Sequence, residues 1–423
     1  MVYLFSGNMV YASSIKALEK DVFLFINENP ICLKSYQIDG EVYFKLRDFA
    51  ILFNKTNKPF NVSWDNELKS IKIDTDETYV EEETENNLNH PFKIKAADLV
   101  HQEIYLDNEL IPINLYQIQE NNYINLIDFI NLFDLNISWI DNLHTIRLST
   151  FDKEEETLDL ETIDLLKLPE KEPLTKADSL EDLGDILLFM IKTETENFSF
   201  EVWDDFYKEI MSDRSLYSKA FNRIHHVETE YFALFNAFEA LIKDFNDHAL
   251  IQFTLKPNQY DDLQDVPWTI LQNEFIETIN DIMWELIQSG EIDEKMTETE
   301  IAKFLYQWLV FYLEYDTDLN DISFTPYGAI TNKIAVCQAY VGIYNYMCDL
   351  AGIKNIGVYG QVVDRDGYHI WTLASLDGEE LYIDVTFGDP VVGIKNICDF
   401  TYFAVTEEFL SKDHIWDTSE YQL

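Results

Sequence analysis

The chain has 423 residues, of which 47% are hydrophobic and 14% aromatic, so it can form packed cores and is not a disordered chain. Lysine and arginine number 30 against 78 aspartate and glutamate residues, which gives a formal net charge of −48. A surface with this charge repels phosphate backbones and anionic lipids. We therefore expect no nucleic-acid partner.

The four cysteines, Cys32, Cys337, Cys348 and Cys398, are too few for a disulfide framework, and no Cys/His cluster has zinc spacing. We expect no cofactor and no metal site. No run of 18 or more apolar residues is present, so we expect no membrane-spanning helix. The mildly apolar start, Met1–Ala12, fits the remainder of an export signal or a first strand.

An internal repeat fills residues 1–150, with an offset of 80 residues that falls to 75 beyond a short deletion. Each copy has the pattern of a strand pair, a short helix and a hairpin. In the first copy, apolar residues at helical spacing predict a helix over Leu46–Phe53. The matched pairs include Tyr36 with Tyr116, Tyr43 with Tyr123, Phe49 with Phe129, Leu52 with Leu132, Trp64 with Trp139 and Ile71 with Ile146.

Three motifs of the first copy resemble the small repeats called copper amine oxidase-like N-terminal, or stalk, domains. These motifs begin at Tyr36 (Tyr-x-Ile-Asp-Gly), Tyr43 (Tyr-Phe-Lys-Leu-Arg-Asp-Phe) and Val62 (Val-x-Trp-Asp). The resemblance implies two stalk-like repeats, residues 1–76 and 92–150. It also implies that residues 1–150 attach the protein to a cell wall or surface, and hence an extracellular or cell-surface location. The alternative is that residues 1–150 are a spacer that binds no ligand. No copper ligand set is present.

The next part of the chain predicts a connection followed by helices. Residues 151–185 are rich in acidic side chains and predict a charged linker. Residues 186–280 carry helical periodicity and predict a helical region, which includes a helix over Tyr231–Phe245. Ile251–Leu255 predicts a strand within it.

Residues 336–351 predict an amphipathic helix, because apolar residues recur on one face and Gly352 follows the last of them. Cys337 lies in or just before the first turn, where free backbone N–H groups and the helix dipole favour a thiolate. Cys348 lies three turns deeper and lacks this advantage.

Three strand-like runs follow, and Asp377-Gly378 predicts a two-residue hairpin turn between the last two. The turn pairs Leu376 with Glu379. In that register His369 and Asp384 are diagonal neighbours on one face, roughly 7–8 Å apart between Cα atoms. A thiol, an imidazole and a carboxylate in this arrangement suit acyl transfer through a thioester.

These residues closely resemble the transglutaminase-like superfamily, which has a papain-like Cys-His-Asp core. The resemblance is carried by Cys337 in Val-Cys-Gln-Ala-Tyr, His369 in Tyr-His-Ile-Trp and Asp384 in Tyr-Ile-Asp-Val-Thr. It implies a domain over residues 281–423, with the helix of the nucleophile packed on an antiparallel sheet. Cys337 would be the nucleophile, His369 its base and Asp384 the group that orients the base. The expected fold class is α+β multidomain.

The sequence departs from the family pattern near the nucleophile. Ala339 stands where the family has glycine, and Thr386-Phe-Gly-Asp389 stands where it has Thr-Trp-Asp-Asp. Neither change removes a member of the triad. Tyr327 is a candidate for stabilising the oxyanion.

Two hypotheses for function follow. In the first, the protein is a cysteine enzyme that acts on peptide or amide bonds of a protein or peptide, as a transglutaminase, deamidase or protease. In the second, it is a non-catalytic surface or wall-binding protein that retains a transglutaminase-like fold.

Overall fold

A computed structural model describes residues 14–80, 92–151, 164–232, 234–257, 266–365, 367–389, 397–421 and 423. The chain forms two compact units, Met1–Leu88 with Ile94–Glu172, and Asn89–Lys93 with Pro173–Leu423. Across the described ranges, no helix is both long and apolar enough to cross a membrane. The start, Met1–Ala12, lies outside the described residues, as does the part of the predicted linker from 152 to 163.

The first unit contains both copies of the repeat. Each copy has a strand pair, a helix and a hairpin in the predicted order, and the helix over Leu46–Phe53 is confirmed. The elements are β1 (Ile15–Ile26), β2 (Asn29–Ile38), β3 (Glu41–Lys45), α1 (Leu46–Phe53), β4 (Phe60–Asp65), β5 (Ser70–Thr75), β6 (Ile94–Leu99), β7 (Ile104–Leu106), β8 (Glu109–Leu110), β9 (Leu115–Ile118), β10 (Asn121–Asn125), α2 (Leu126–Leu132), β11 (Asn136–Ile140) and β12 (Thr145–Ser149).

The strands of the two copies share one sheet, in the order β11-β12-β1-β2-β3-β10-β9-β6. Because β6 also pairs with β1, the six strands β1-β2-β3-β10-β9-β6 close into a ring. The ring protects its own edges, which an isolated repeat would leave unpaired. The hairpin β4-β5 pairs with β7-β8 in a separate four-stranded sheet.

The two copies meet about an approximate twofold axis. Strands β3 and β10 are antiparallel, and Phe44 lies opposite Ile124, its own equivalent at the repeat offset of 80. Phe49 likewise stacks on its equivalent Phe129, with ring centroids 4.0 Å apart and planes 14° apart. Such self-pairing of equivalent residues is what a twofold relation requires.

Four matched tyrosines show the same symmetry. Tyr36 packs edge-on against Tyr123, and Tyr43 packs edge-on against Tyr116, each pair with centroids 5.1 Å apart. Because Tyr36 is equivalent to Tyr116 and Tyr43 to Tyr123, the two contacts are themselves equivalent under the repeat. The repeated tyrosines are therefore residues that hold the two copies together, and this explains their recurrence in the sequence.

Replacing Phe49 with alanine should lower the free energy of unfolding of the first unit by about 3–5 kcal/mol, because it empties the stacked pair at the centre of a buried cluster. Urea denaturation followed by near-UV circular dichroism would measure the loss. Ile51→Ala changes a partly exposed residue of the same helix and should cost about 1 kcal/mol or less. Equal losses for the two variants would contradict the central role of Phe49.

The second unit contains two four-stranded sheets and the longer helices of the described residues. Its elements are β13 (Lys176–Ala177), α3 (Leu180–Lys192), β14 (Asn197–Trp203), α4 (Asp204–Ser212), α5 (Ser215–Val227), α6 (Thr229–Phe232), β15 (Phe235–Asp244), β16 (His248–Pro257), α7 (Trp268–Ser289), α8 (Glu298–Tyr312), β17 (Glu314–Tyr315), α9 (Pro326–Asn332), β18 (Ile334–Ala335), α10 (Cys337–Leu350), β19 (Asn355–Val362), β20 (His369–Leu376), β21 (Glu379–Ile383), α11 (Glu407–Leu410) and β22 (His414–Ile415).

The middle of the chain is not a helical region, and that prediction was wrong. Four strands of this part of the chain form a sheet of order β13-β14-β16-β15, and the predicted strand over Ile251–Leu255 is confirmed within β16. The predicted helix over Tyr231–Phe245 is the short α6 followed by β15. Phe238 and Ile242 are four residues apart, a spacing that puts them on one face of either a helix or a strand. Pairing with β16 decides for the strand.

The second sheet, of order β21-β20-β19-β22, carries α10 packed against β19 and β20. Its hairpin has the predicted register, with Leu376 opposite Glu379 and Thr372 opposite Ile383. Strand β21 ends at Ile383, so Asp384 lies directly beyond the last ladder pair. The α+β class is confirmed, and the division into separate repeats, linker and domains stays a prediction.

Candidate active site

Cys337 is held at the start of α10 by the short strand that precedes it. Strand β18 pairs in parallel with β17, which places Ala335 beside Tyr315. The N-cap residue Val336 is extended, and its N–H donates to the carbonyl of Ser323 at 3.0 Å. Cys337 is therefore the first residue of the helix, where backbone N–H groups have no partner within the helix.

The buried Asp316 carboxylate fixes the turn that leads to this strand. It accepts hydrogen bonds from the backbone N–H groups of Asp318 and Asn320, the Asn320 amide and the Ser323 hydroxyl, at 2.6 to 3.0 Å. Burial alone would raise the pKa of this carboxyl, but the hydrogen bonds hold it below its usual value. Since Ser323 also binds Val336, the carboxylate anchors the approach to Cys337.

The structure brings together the histidine and the aspartate that the hairpin register placed on one face. His369 begins β20, and its Nε2 lies 2.7 Å from Oδ2 of Asp384. Asp384 is fully buried, and its Oδ1 accepts the backbone N–H of Phe387 at 3.2 Å. The Phe387 ring stacks on the imidazole at 5.1 Å between centroids. The imidazole is thus fixed by the hydrogen bond to Asp384 at one edge and by the Phe387 ring stacked on its face.

The titration behaviour of the pair follows from these contacts. Burial would lower the pKa of His369, but the charge and hydrogen bond of Asp384, together with a hydrogen bond to the Cys337 sulfur and the negative charge of that sulfur, raise it to about 10. Burial would raise the pKa of Asp384, but His369 and a second histidine, His414, lower it to about 2. Since Nε2 of His369 faces Asp384, Nδ1 is the nitrogen left for the thiol. The three residues predicted as the triad therefore form a continuous Cys337–His369–Asp384 array.

His414 also contacts this array, and the sequence analysis missed it. Its Nε2 lies 3.2 Å from the same Asp384 Oδ2 that His369 binds. It lies on β22, which pairs with β19 on the edge of the sheet opposite β21. No local pattern marks this residue, because it is 30 residues from Asp384 and meets it only through sheet pairing.

His369, Asp384 and His414 are also the group of described residues whose side chains could hold a metal ion, with one ligand atom from each within 4.8 Å of the others. Here Oδ2 of Asp384 is within hydrogen-bond distance of both imidazoles, at 2.7 and 3.2 Å. The three groups thus satisfy one another without an ion. The expectation that no metal takes part stays a prediction.

Tyr327, the sequence-based candidate for the oxyanion, faces elsewhere, so that expectation was wrong. It lies on α9 and packs against the core of the first sheet of the unit, and burial and a hydrogen bond to Glu274 raise its pKa. Tyr315 is a tyrosine close to Cys337: burial and then the negative charge of Cys337 raise its pKa. The pairing of β17 with β18 accounts for this placement.

Two curated relatives and a solved structure are similar to parts of the chain. No family model matches the chain. It is 23% identical to kyphoscoliosis peptidase of Mus musculus over 165 residues, which is 34% of this chain and 24% of that protein. It is 25% identical to the Homo sapiens protein of the same name over 154 residues, 32% of this chain and 23% of that protein. A solved structure of a TGase shares 13% identity and a TM-score of 0.26, covering 67% of each chain.

The kyphoscoliosis peptidases are transglutaminase-like, so the resemblance recognised in the three motifs is confirmed by relatives of that class. The chain spans about a quarter of the length of these curated relatives. The resemblance of residues 1–150 to stalk repeats stays a prediction.

The raised pKa of His369 predicts how stability depends on pH. A group whose folded-state pKa is about 10, against an ordinary value of 6.5, contributes stability that is present below about pH 6.5 and lost as the pH rises through about 10. Asp384→Asn should lower the His369 pKa and flatten this loss. Urea unfolding from pH 6 to pH 10 would measure both curves.

The control is Asp364→Asn, which makes the same change of charge at an exposed position. It should leave the wild-type slope unchanged. A slope that Asp384→Asn does not alter would show that the carboxylate does not hold the imidazolium.

Proposed function

We propose that the protein is a cysteine-dependent acyltransferase or hydrolase that acts on a peptide or amide carbonyl of a protein or peptide. One observation carries the proposal. Cys337 is the first residue of α10, and its side chain interacts with the imidazole of His369, which a buried carboxylate holds at 2.7 Å. The similarity to proteins named peptidases supports the same class of substrate.

The raised pKa of His369 means that it carries the proton of the Cys337 thiol as an imidazolium before the reaction begins, and in the first half-reaction the sulfur of Cys337 attacks the carbonyl carbon. The oxyanion that forms can accept hydrogen bonds from the N–H of Cys337 at the start of α10, where the helix dipole also favours negative charge. The imidazolium then gives its proton to the leaving nitrogen, the C–N bond breaks, and an amine leaves. A thioester on Cys337 remains.

In the second half-reaction water or a primary amine attacks the thioester carbonyl and gives its proton to His369. The C–S bond breaks and the thiolate leaves. Water produces a carboxylic acid, and an amine produces a new amide. Hydrolysis, deamidation and cross-linking therefore use the same residues and differ in the acyl donor and the second nucleophile.

Asp384 has a separate task in both halves. Its Oδ2 accepts the Nε2–H of His369, which leaves Nδ1 as the nitrogen that exchanges a proton with sulfur. The carboxylate also stabilises the imidazolium formed in each half-reaction. Attachment through residues 1–150 and an extracellular location stay predictions.

The reactivity of the four thiols with iodoacetamide tests the nucleophile without a known substrate. Cys337 should react at pH 7 about tenfold or more faster than Cys32, because it has a base within reach. Exposure alone predicts the opposite order, since Cys32 is exposed and Cys337 is half-buried. Burial and then Asp21 and Glu170 raise the pKa of Cys32.

Peptide mass mapping of the folded protein would give each rate, with the buried Cys348 as the inert control. His369→Asn should remove the advantage of Cys337. If Cys337 is no faster than Cys32 in the wild type, the thiol is not activated, and the binding-protein hypothesis is favoured.

Catalysis can be assayed with unfolded casein and a fluorescent primary amine. The wild type should incorporate the amine or release new amino termini or ammonia, and the product formed identifies the acyl donor and acceptor. Cys337→Ala should abolish all products, since no thioester can form, whereas Cys348→Ala should keep them. Equal activity of Cys337→Ala and wild type would refute the mechanism.

A further inference from the structure

We infer that His414 is a positioning residue of the active-site array, which holds the Asp384 carboxylate and through it fixes the imidazole that serves Cys337. The inference rests on the proposed function, because it assigns His414 a task in the same reaction. The array would then extend by one residue, as Cys337–His369–Asp384–His414.

The first support is that the two imidazoles share one oxygen atom. Oδ2 of Asp384 lies 2.7 Å from Nε2 of His369 and 3.2 Å from Nε2 of His414. The other oxygen, Oδ1, accepts the N–H of Phe387 at 3.2 Å. A buried carboxylate needs several donors, since its charge is otherwise uncompensated. Loss of His414 would remove one of the two imidazole donors to Oδ2 and leave the buried charge less compensated.

The second support is that the other nitrogen of His414 is held as well. Its Nδ1 lies 2.7 Å from Oδ1 of Asp413, and Oδ2 of Asp413 accepts the Tyr402 hydroxyl. The carbonyl of Tyr402 in turn accepts the N–H of Asp384 at 3.0 Å. The ring is therefore fixed at both edges by groups that lead back to Asp384.

The third support is the packing around the ring. His414 is 1% exposed. The rings of Trp371, Phe387 and Tyr402 lie around it, with centroids at 4.9, 5.4 and 5.4 Å. The three aromatic rings prevent rotation of the imidazole and exclude water that could replace it as a donor to Asp384. A partner that is immobile can hold Asp384 in the one orientation that His369 needs.

Glutamine and asparagine separate the two hydrogen bonds of His414. The amide nitrogen of glutamine occupies the position of Nε2, so His414→Gln can still donate to Asp384. The amide nitrogen of asparagine occupies the position of Nδ1, so His414→Asn can donate to Asp413 and not to Asp384. Both variants are uncharged and polar, so a role in packing alone predicts similar effects.

The experiment measures the rate at which iodoacetamide alkylates Cys337 at pH 7. We expect His414→Asn to slow it about tenfold or more, the effect that loss of an outer hydrogen-bond partner has on metal-binding histidines. His414→Gln should stay within about threefold of wild type. Thermal melting of each variant would establish that it is folded. Equal rates for both variants would overturn the inference.

A double-mutant cycle gives a second readout. If His414 acts through Asp384, then adding His414→Asn to Asp384→Asn should slow alkylation no further. An additive loss would overturn the inference, because it would mean a separate action on the site.

Should His414→Asn fail to fold, Asp413→Ala provides the measurement, since the partly exposed Asp413 side chain binds His414 and Tyr402 and, among the described residues, has no hydrogen bond to Asp384, His369 or Cys337. It should slow alkylation about threefold in the wild-type background and not in Asp384→Asn. No change in either background would overturn the inference. Failure of the proposed function is distinct: there His369→Asn would leave the wild-type rate unaltered.

Discussion

The burial of the Asp384 carboxylate is the constraint on which the candidate active site depends. A fully buried charge is unstable unless donors surround it, and the donors here come from three separate parts of the chain. His369 comes from the start of β20, Phe387 from the short 3₁₀ helix after β21, and His414 from β22 at the far edge of the sheet. The orientation of the His369 imidazole therefore depends on the sheet order, which brings β20, β22 and the end of β21 around one carboxylate.

Cys337 depends on a second buried carboxylate in the same way. Asp316 accepts four hydrogen bonds from the turn that precedes Cys337, and the carbonyl of one of these residues, Ser323, also accepts the N–H of Val336. Two buried acids thus organise the two halves of the site: Asp316 on the thiol side and Asp384 on the imidazole side. In a chain with a net charge of −48, these two acids are distinguished by their burial, which their hydrogen-bond donors compensate.

The first unit depends on a different principle, the symmetry of its repeat. The equivalents Phe44 and Ile124 pair in the central strands, and Phe49 stacks on Phe129. A single copy would leave a sheet edge and half of this aromatic cluster exposed. The residues that recur in the sequence are therefore the ones through which the copies bury each other.

The sequence by itself determined the features that short-range geometry encodes. The Asp377-Gly378 turn set the register of the hairpin, and helical periodicity placed Cys337 at a helix start. The repeat offset marked the residues that pair in the first unit. Tertiary structure decided the rest: the strand at Phe235–Asp244, the direction of Tyr327 and the contact of His414 with Asp384. The physical reason is that local periodicity specifies a face of an element, whereas its partner across the sheet is chosen by packing between distant segments.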